Sequence, residues 1–340
     1  MNYKVSVIIP VYNAEENLEN TIQSVINQSI GFENIELILI DDASKDNSRK
    51  IIETYCNNYD NIISHCSNEN HGGPGFGRNM GLELSTSKYI MFLDNDDEYE
   101  KDLCKKLYET ITNEETDIVC CNKITVDTIS NVKQHIDYDA SIEDGENVII
   151  TKDDILLFDS VAVWNKIYKK EIIEENNLKF LEDTRADDFA FTIDYYLNCN
   201  KLIFLKNYHG YYWNIKDDSL SHTVTPKHIH ELINTYKYTF NQLKLKQKEQ
   251  YMSKLIKSHV NYLIVQSSYL KVDKNEFINI LDEIRNFENE INFNLKLEPA
   301  WAEKINKMIL NKQYRRAIFL LKTMDKLRTS TLLRKINRKI

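Results

Sequence analysis

The chain has 340 residues, a net charge of −9 and a hydrophobic content of 42%, which is enough for one large or two ordinary domains. The sequence contains no run of 18 apolar residues, so we expect neither a membrane span nor a signal peptide. Its six cysteines show no regular spacing. We therefore expect free thiols in a reducing cytosol, not a disulfide framework or a zinc site.

Short apolar runs separated by stretches of helical spacing predict four strands, at residues 5–9, 36–40, 61–66 and 88–93. Strands that alternate with helices of 10–15 residues indicate βαβ units, and hence an α/β fold with a mostly parallel central sheet flanked by helices. A fifth strand is predicted at residues 117–121. Beyond residue 226 the pattern is almost wholly helical, so we predict one domain over residues 1–222 and a helical region over residues 223–340.

Polar residues gather where the predicted strands end. Tyr12 and Asn13 follow the first strand, Asp41 and Asp42 end the second, and an acidic cluster follows the fourth. Parallel sheets bind ligands beyond the carboxyl ends of their strands. The sequence therefore predicts a ligand site at this edge, where a strand-terminal carboxylate such as Asp41 is suited to accept a base N–H.

The acidic cluster is the segment M-F-L-D-N-D-D, in which Asp94, Asp96 and Asp97 fall within four positions. Carboxylates packed this tightly disfavour one another's ionisation, and a cation relieves that repulsion. Mg²⁺ and Mn²⁺ prefer oxygen ligands and commonly bridge one or two carboxylates to a substrate's phosphates. The alternative is a polar exit from a strand into a loop, with no metal bound.

A glycine-rich segment, H-G-G-P-G-F-G-R-N-M-G, covers residues 71–81. Glycines such as Gly73 let the backbone approach a bound group, a helix N-terminus suits a phosphate, and Arg78 is placed to contact one. A dinucleotide fingerprint is a weaker interpretation because that motif follows the first strand, whereas this segment follows the third. A purely structural turn is the remaining alternative.

These motifs, in this order and spacing, resemble the family 2 glycosyltransferases of GT-A fold, of the bacterial cell-surface polysaccharide or glycolipid type. The resemblance rests on V-S-V-I-I-P-V-Y-N (residues 5–13), I-D-D-A-S (40–44), the glycine-rich segment and F-L-D-N-D-D (92–97). V-W-N-K-I-Y (163–168), D-D-F-A-F (187–191), Y-Y-W (211–213) and D-S-L-S-H (218–222) support it. It covers residues 4–222, which it makes the nucleotide-sugar-binding catalytic domain.

The resemblance implies inverting transfer of a hexosyl or N-acetylhexosaminyl group from a nucleotide sugar, usually a UDP-sugar, with Mn²⁺ or Mg²⁺ as cofactor. It also implies a role for each matching residue at the donor site. Asp41 would read the base, Arg78 would support the base or diphosphate, and Asp94 would lie near the ribose and the metal. Asp96 would be the main metal ligand, and His222 matches a position that touches metal or diphosphate in some relatives. The remaining donor-site residues would be Pro10, Tyr12, Glu15, Gly73 and Asn95.

The family's general base normally follows a Glu in a Glu-Asp pair, whereas this chain has Asp187-Asp188. Asp188 aligns with the expected base, and the departure leaves Asp187 and Asp183 as nearby alternatives. Trp164, Asn165 and Asp187 would lie on the acceptor side. A carboxylate within reach of a sugar hydroxyl can take its proton as the oxygen attacks the anomeric carbon. This chemistry fits the residue types independently of the resemblance.

The charge along the chain is asymmetric. Residues 301–340, the basic tail, carry 12 Lys or Arg and 2 Asp or Glu, while the first 300 residues carry 31 and 50. Apolar residues at helical spacing in the tail predict a basic amphipathic helix. We expect it to hold the protein peripherally on the inner, anionic face of the cell membrane, to bind in the groove of a partner, or to pack on the acidic body. Nucleic acid is not an expected partner because the remaining surface is so negative.

The expected function is sugar transfer to a glycan or lipid-linked glycan in cell-surface polysaccharide synthesis. Two alternatives stay open at this point. A nucleotidyltransferase that makes an activated sugar shares a similar sheet, but it would carry a glycine-rich basic segment after the first strand, which residues 10–20 lack. A non-catalytic sugar-nucleotide-binding scaffold would not need the carboxylates Asp94, Asp96 and Asp188.

Overall fold

A computed structural model describes residues 3–128, 132–137, 147–152, 154–158, 160–182, 184, 186–215, 224–292 and 296–329. The chain separates into two compact units, residues 1–216 and residues 217–340. The predicted boundary between residues 222 and 223 lies outside the described residues and stays a prediction.

The first unit is built from strands and helices that alternate over its first half. Its strands are β1 Val5–Val11, β2 Ile35–Asp41, β3 Ile62–Cys66, β4 Tyr89–Phe92, β5 Glu98–Tyr99, β6 Ile118–Asp127, β7 Val132–Ile136, β8 Asn147–Thr151, β9 Lys166–Lys169 and β10 Lys201–Ile215. Its helices are α1 Leu18–Ile26, α2 Ser48–Asn58, α3 Pro74–Leu84, α4 Leu103–Asn113, α5 Lys170–Glu175 and α6 Asp187–Tyr196.

Among the described residues the strands form one mixed sheet in the order β3-β2-β1-β4-β9-β6-β10-β5, with β7 beside β6 and β8 beside β10. The pairs among β1, β2, β3 and β4 are parallel, as is β6 with β10, whereas β9 runs antiparallel to both of its neighbours. The predicted α/β class and mostly parallel sheet are confirmed. The predicted strand at residues 117–121 is the beginning of β6.

Both faces of the central strands are covered, so β1 and β2 are apolar runs in which every residue is buried. Val5, Val7 and Ile9 belong to the core on one face, together with residues of α1 and α4. On the other face, α3 packs so closely that a Cβ at position 81 would lie 2.3 Å from Cγ2 of Ile8. Glycine at position 81 therefore allows α3 to approach the sheet.

The second unit is helical, as the sequence predicts. It contains α7 Pro226–Leu245, α8 Met252–Ser267, α9 Lys274–Glu290, α10 Ala300–Leu310 and α11 Tyr314–Thr329. The basic tail supplies α10 and α11, and its apolar side chains Ile305, Ile309, Ala317, Ile318 and Leu321 are buried. In the described part of the tail, most of the apolar face therefore packs within the protein, while Phe319 is 70% exposed. No helix in the described ranges is long and apolar enough to cross a membrane.

Candidate active site

The acidic cluster is anchored to β10 across more than a hundred residues of sequence. The hydroxyl of Tyr211 donates to Oδ2 of Asp97 at 2.7 Å, and the backbone N–H of Asn214 donates to Oδ1 of the same carboxylate at 2.8 Å. Burial, reinforced by the charges of Asp96 and Asp94, raises the pKa of Asp97 well above its usual value. Asp97 therefore shapes the turn after β4 instead of facing a ligand.

Asp94 and Asp96 differ from Asp97 in remaining partly exposed. Oδ1 of Asp94 accepts a hydrogen bond from Nη2 of Arg78 at 2.7 Å, and about a third of the Asp94 side chain is exposed, 32%. Asn95 lies between them in sequence, and its Nδ2 donates to the carbonyl oxygen of Pro10 at 3.1 Å. The carboxylates that follow β4 are thus held next to the end of β1.

Arg78 lies in α3 and joins the acidic cluster to α6. Its side chain is 4% exposed, and its Nη1 donates to Oδ2 of Asp187 at 2.6 Å while Nη2 donates to Asp94. Although burial acts to lower it, the charges of Asp187, Asp94 and Asp188 raise the pKa of the guanidinium. Arg78 is therefore a permanently charged bridge between carboxylates 93 residues apart.

The next residue of α3, Asn79, fixes the segment that leads to α6. Its Oδ1 accepts from the backbone N–H of Phe180 at 2.8 Å, and its Nδ2 donates to the Phe180 carbonyl at 2.9 Å. The Phe180 ring stacks on Phe191 of α6, with ring centroids 3.9 Å apart. Arg78 and Asn79 together therefore set the position at which α6 begins.

Asp187 and Asp188 form the first turn of α6 and have different surroundings. Asp187 is 1% exposed and bound to Arg78, whereas Asp188 is partly exposed and accepts from the N–H of Phe189 at 2.7 Å. Burial and the charge of Asp187 raise the pKa of Asp188 to about 7. A general base works best with a pKa near the operating pH, so this geometry favours Asp188. Asp183, the other alternative, lies outside the described residues.

At the far end of the sheet edge, the loop after β1 is joined to the loop after β2. The N–H of Asn13 donates to Oγ of Ser44 at 2.9 Å, and the carboxylate of Glu15 accepts from the N–H of Asn47 at 2.9 Å. Tyr12 is 42% exposed beside this junction. The exposed ring of Tyr12 is therefore available to a ligand, while Glu15 already bonds to the start of α2.

Asp41 ends β2 and is completely buried. Its Oδ1 accepts from the N–H of Ser44 and its Oδ2 from Nε of Arg49, both at 3.2 Å. Contact with a base would require one of these bonds to be exchanged, and the base-reading role of Asp41 stays a prediction.

Sequence reasoning missed the contact between Asp42 and the glycine-rich segment. Oδ2 of Asp42 accepts from the N–H of His71 at 2.9 Å, and Oδ1 lies 2.6 Å from Nδ1 of the same histidine. The His71 ring stacks on Phe76 at 3.6 Å. The signal available in the sequence was the position of Asp42 at the strand end, directly after Asp41.

The glycine-rich segment is mostly the first turns of a helix and not an open loop. Helix α3 begins at Pro74 with Gly73 as its N-cap. A Cβ at position 75 would lie 2.3 Å from the carbonyl oxygen of Leu181, and a Cβ at position 77 would lie 2.9 Å from Cβ of Pro10. These glycines therefore let α3 pack against the first strand and the segment before α6, which accounts for them without a bound phosphate.

On the predicted acceptor side, Trp164 stacks on Tyr211 with ring centroids 4.1 Å apart. Because Tyr211 also holds Asp97, Trp164 lies beside the acidic cluster. Asn165 is completely buried behind it. The structure thus brings Asp94, Arg78, Asp187 and Trp164 to one region, while His222 lies outside the described residues.

Comparison with known families agrees with this arrangement. The family described as Glycosyl transferase family 2 matches residues 6–176, which is half of the chain and includes the ends of β1, β2 and β4 and all of α3. The chain belongs to this family. The expected family, and with it the expected class of glycosyltransferases, is confirmed.

Named relatives of this chain include two poly(ribitol-phosphate) glycosyltransferases. The poly(ribitol-phosphate) beta-glucosyltransferase of Bacillus spizizenii is 29% identical over 220 residues, 63% of this chain and 33% of the relative. The poly(ribitol-phosphate) beta-N-acetylglucosaminyltransferase TarS of Staphylococcus aureus is 26% identical over 293 residues, 82% of this chain and 49% of TarS. The chain thus spans a third to a half of the length of these relatives.

The fold is shared with solved structures. The crystal structure of S. aureus TarS residues 1–349 in complex with UDP-GlcNAc superimposes with a TM-score of 0.72 and 21% identity, covering 97% of this chain and 93% of that one. The expected GT-A fold is confirmed.

The residues of this glycosyltransferase suit a cation that arrives with its substrate. No group of three His, Cys, Asp or Glu side chains in the described ranges could hold a metal ion. Asp94 and Asp96 are nevertheless partly exposed carboxylates in the turn after β4, and the bond of Arg78 to Asp94 uses one of its two oxygens. Mg²⁺ is typically bound by one or two carboxylates together with substrate phosphates. This donor set fits that arrangement.

Proposed function

We propose that this glycosyltransferase transfers a sugar, with inversion, from a UDP-sugar to a hydroxyl group of a cell-surface glycan or polyol-phosphate polymer. The observation that carries the proposal is the buried Arg78, which bonds to Asp94 at the acidic cluster and to Asp187 beside Asp188. It links a site suited to a diphosphate with a carboxylate suited to a base. The names of the relatives, poly(ribitol-phosphate) transferases, support the acceptor class.

The donor would lie along the carboxyl ends of β1, β2 and β4. The nucleoside would contact Tyr12 and Pro10, with Asp41 and Glu15 behind it, and the TarS complex with UDP-GlcNAc supports a uridine donor. The diphosphate would lie between Gly73 and the acidic cluster, where Asn95 is already oriented by Pro10. Family membership favours this sugar transfer over synthesis of a nucleotide sugar.

Asp188 would accept the proton of the acceptor hydroxyl as its oxygen attacks the anomeric carbon. The C–O bond to the diphosphate breaks in the same displacement, so the new bond forms on the opposite face and the configuration inverts. General-base assistance of this kind contributes about 10²–10⁴ in rate. A base with a pKa near 7 is largely ionised just above neutral pH, as this role requires.

Arg78 would orient the carboxylates of Asp94 and Asp187 without contacting the donor itself. Its guanidinium already bonds to Asp94 and Asp187 and is almost completely buried, so we assign it to positioning, not to direct contact with the base or diphosphate. Asp96 and Asp94 would hold Mg²⁺ or Mn²⁺, which would stabilise the charge of the departing diphosphate.

The basic tail would add attraction to an anionic membrane surface, at about 1 kcal/mol per nearby Lys or Arg, and so hold the enzyme at the cytoplasmic face. The support is mainly its charge, because most of the apolar face of its described part is buried, although Phe319 is 70% exposed. Flotation with phosphatidylglycerol vesicles tests this. Equal flotation of the whole chain and of a charge-reversed tail variant would contradict it.

The proposed reaction is tested by incubating the whole chain with UDP-glucose, UDP-galactose or UDP-GlcNAc, Mn²⁺ and a synthetic poly(ribitol phosphate). We expect UDP release to rise on addition of the acceptor with at least one donor, and EDTA to abolish it. Absence of both transfer and hydrolysis with every UDP-sugar would contradict the proposed function.

A further inference from the structure

Lys166 is a fully buried lysine on β9, in the segment that carries Trp164. Burying a charged amine is costly unless its donors are satisfied. Its Nζ donates to Oγ of Ser160 at 2.7 Å, to Oδ1 of Asn165 at 2.8 Å and to the carbonyl oxygen of Ala162. All three N–H bonds of an ammonium group therefore have an acceptor, and all three acceptors lie in residues 160–165.

Residues 160–165, which bond to the Lys166 amine, also form hydrogen bonds with α6 and with β6. Tyr196, at the end of α6, donates from its hydroxyl to the carbonyl oxygen of Ser160 at 2.7 Å. Nδ2 of Asn165 donates to the carbonyl oxygen of Cys121 in β6 at 2.5 Å. The segment that Lys166 holds is thus bonded to β6 on one side and, on the other, to the last turn of the helix whose first turn contains Asp188.

Trp164 belongs to this segment and is 7% exposed. Its ring stacks on Tyr211, whose hydroxyl bonds to Asp97. Burial lowers the pKa of Lys166 to about 8, while the charge of Asp188 acts in the opposite direction. The amine of Lys166 and the carboxylate of Asp188 are therefore within electrostatic range of one another, with Trp164 carried on the same segment.

We infer that Lys166 is a positioning residue for the acceptor, which sets Trp164 at a fixed place relative to Asp188 through Ser160, Ala162 and Asn165. The inference rests on the proposed function, because it assumes that Trp164 faces the acceptor. An ordinary core lysine would affect donor and acceptor alike when it is removed. A positioning role confined to residues 160–165 predicts an effect on the acceptor only.

The test compares Lys166→Met, which keeps the length of the side chain and removes its donors, with Ser160→Ala, which removes one acceptor. Lys169→Met is the matched control, since Lys169 ends the same strand with an exposed side chain paired with Glu171. For each variant the Kd of UDP with Mn²⁺ is measured by calorimetry, and the acceptor KM is measured with the donor and acceptor that the intact chain uses.

We expect Lys166→Met to raise the acceptor KM, or to lower the ratio of transfer to donor hydrolysis, by about tenfold or more, since a misplacement of about 1 Å can cost 10²-fold in rate. The UDP Kd should stay within about twofold, and Ser160→Ala should act in the same direction with a smaller effect. Equal losses in UDP binding and acceptor use, or no change in either, would overturn the inference. If Lys166→Met does not fold, Ser160→Ala decides by the same criteria.

A double variant separates the positioning of Trp164 from a general loss of structure. In a Trp164→Ala background, Ser160→Ala should change the acceptor KM by less than about twofold, because the side chain being positioned is absent. A full effect in that background would overturn the inference. If the wild type transfers sugar and the variants behave like it, the inference is wrong and the proposed function stands. If the wild type shows neither transfer nor hydrolysis, both the proposed function and the inference are wrong.

Discussion

Arg78 and Asp187 are 109 residues apart in sequence, yet Nη1 of the arginine lies 2.6 Å from Oδ2 of the aspartate and both side chains are buried. The contact joins the helix of the glycine-rich segment to the helix that begins with the proposed base. Because the same guanidinium holds Asp94, a single buried cation orients both the acidic cluster and the first turn of α6.

Replacing Arg78 by Met should destabilise the protein strongly, because Asp187 would remain buried without its partner. Loss of one member of a buried ion pair typically costs about 3–5 kcal/mol. The control is Lys169→Met, which breaks the exposed pair with Glu171 and should cost below about 1 kcal/mol. Urea unfolding of the first unit measures both. Similar midpoints for the two variants would argue against a structural role for the bridge.

The pH dependence of transfer should report Asp188. Because its pKa is raised to about 7, the fraction ionised falls as the pH drops below 7. We therefore expect kcat/KM to fall about tenfold per pH unit on the acidic side, as for a single essential base.

The Asp187→Asn variant tests whether the acidic limb of the kcat/KM profile belongs to Asp188. The charge of Asp187 raises the pKa of Asp188, so its removal should move the acidic limb of the kcat/KM profile to lower pH. A limb that stays at the wild-type position in Asp187→Asn would show that another group titrates there.

Asp96 and Asp97 should differ in what their removal does. Asp96→Ala should abolish the gain in UDP affinity that Mn²⁺ provides. The Kd of UDP in the presence of Mn²⁺ should therefore rise by at least about tenfold, as on loss of a metal-site partner. Asp97→Ala should instead lower stability by about 1–3 kcal/mol, because Tyr211 and Asn214 would lose their acceptor. Calorimetry with and without EDTA, together with thermal unfolding, distinguishes the two. An unchanged Mn²⁺ effect in Asp96→Ala would count against its metal role.

The stability of the helical unit should depend on Glu288, which is completely buried beside Asn306. Burial raises its pKa from 4.5 to about 7, although the nearby Asn306 favours the charged form. The folded state therefore binds the proton more tightly. This stabilisation is complete below pH 4.5 and is lost as the pH rises through 7.

We expect the contribution of Glu288 to the free energy of unfolding to fall by about 3 kcal/mol between pH 4.5 and pH 8. Glu288→Gln keeps the size of the side chain without its charge and should remove that part of the fall. Glu290→Gln, which alters an exposed glutamate paired with Lys237, should leave the fall in place. Equal pH profiles for wild type and Glu288→Gln would contradict the assignment.

The sequence predicts the first half of the fold well, because β1, β2 and β4 are mostly apolar and buried and the helices between the strands have clear spacing. It also locates the carboxylates at the ends of those strands. The strand β10 is harder to predict, since a β-bulge interrupts its pairing with β6 between Leu205 and Tyr211. Unless β10 is placed correctly, the sequence does not show that Asp97 is buried against β10 while its neighbour Asp96 stays partly exposed.

The contacts of Arg78 and Lys166 could not be predicted either. A motif that contains an arginine beside glycines suggests a phosphate ligand. Only the structure shows that α3 packs against Leu181, Glu182 and Thr184 and that the guanidinium bonds to Asp187. Similarly, a lysine between Asn165 and Ile167 resembles a surface residue until its three acceptors in residues 160–165 are seen. The contact of Arg78 depends on packing between distant parts of the chain, and that of Lys166 depends on the local fold of residues 160–165, and spacing in the sequence encodes neither.

Asp188→Asn tests the central claim most directly, with UDP binding and sugar transfer measured on the same protein in the presence of Mn²⁺. We predict that the Kd of UDP stays within about twofold of wild type while transfer falls by at least about 10², the lower end of the contribution of a general base. Transfer at near wild-type rates with UDP binding intact would contradict the assignment of Asp188 and the mechanism built on it.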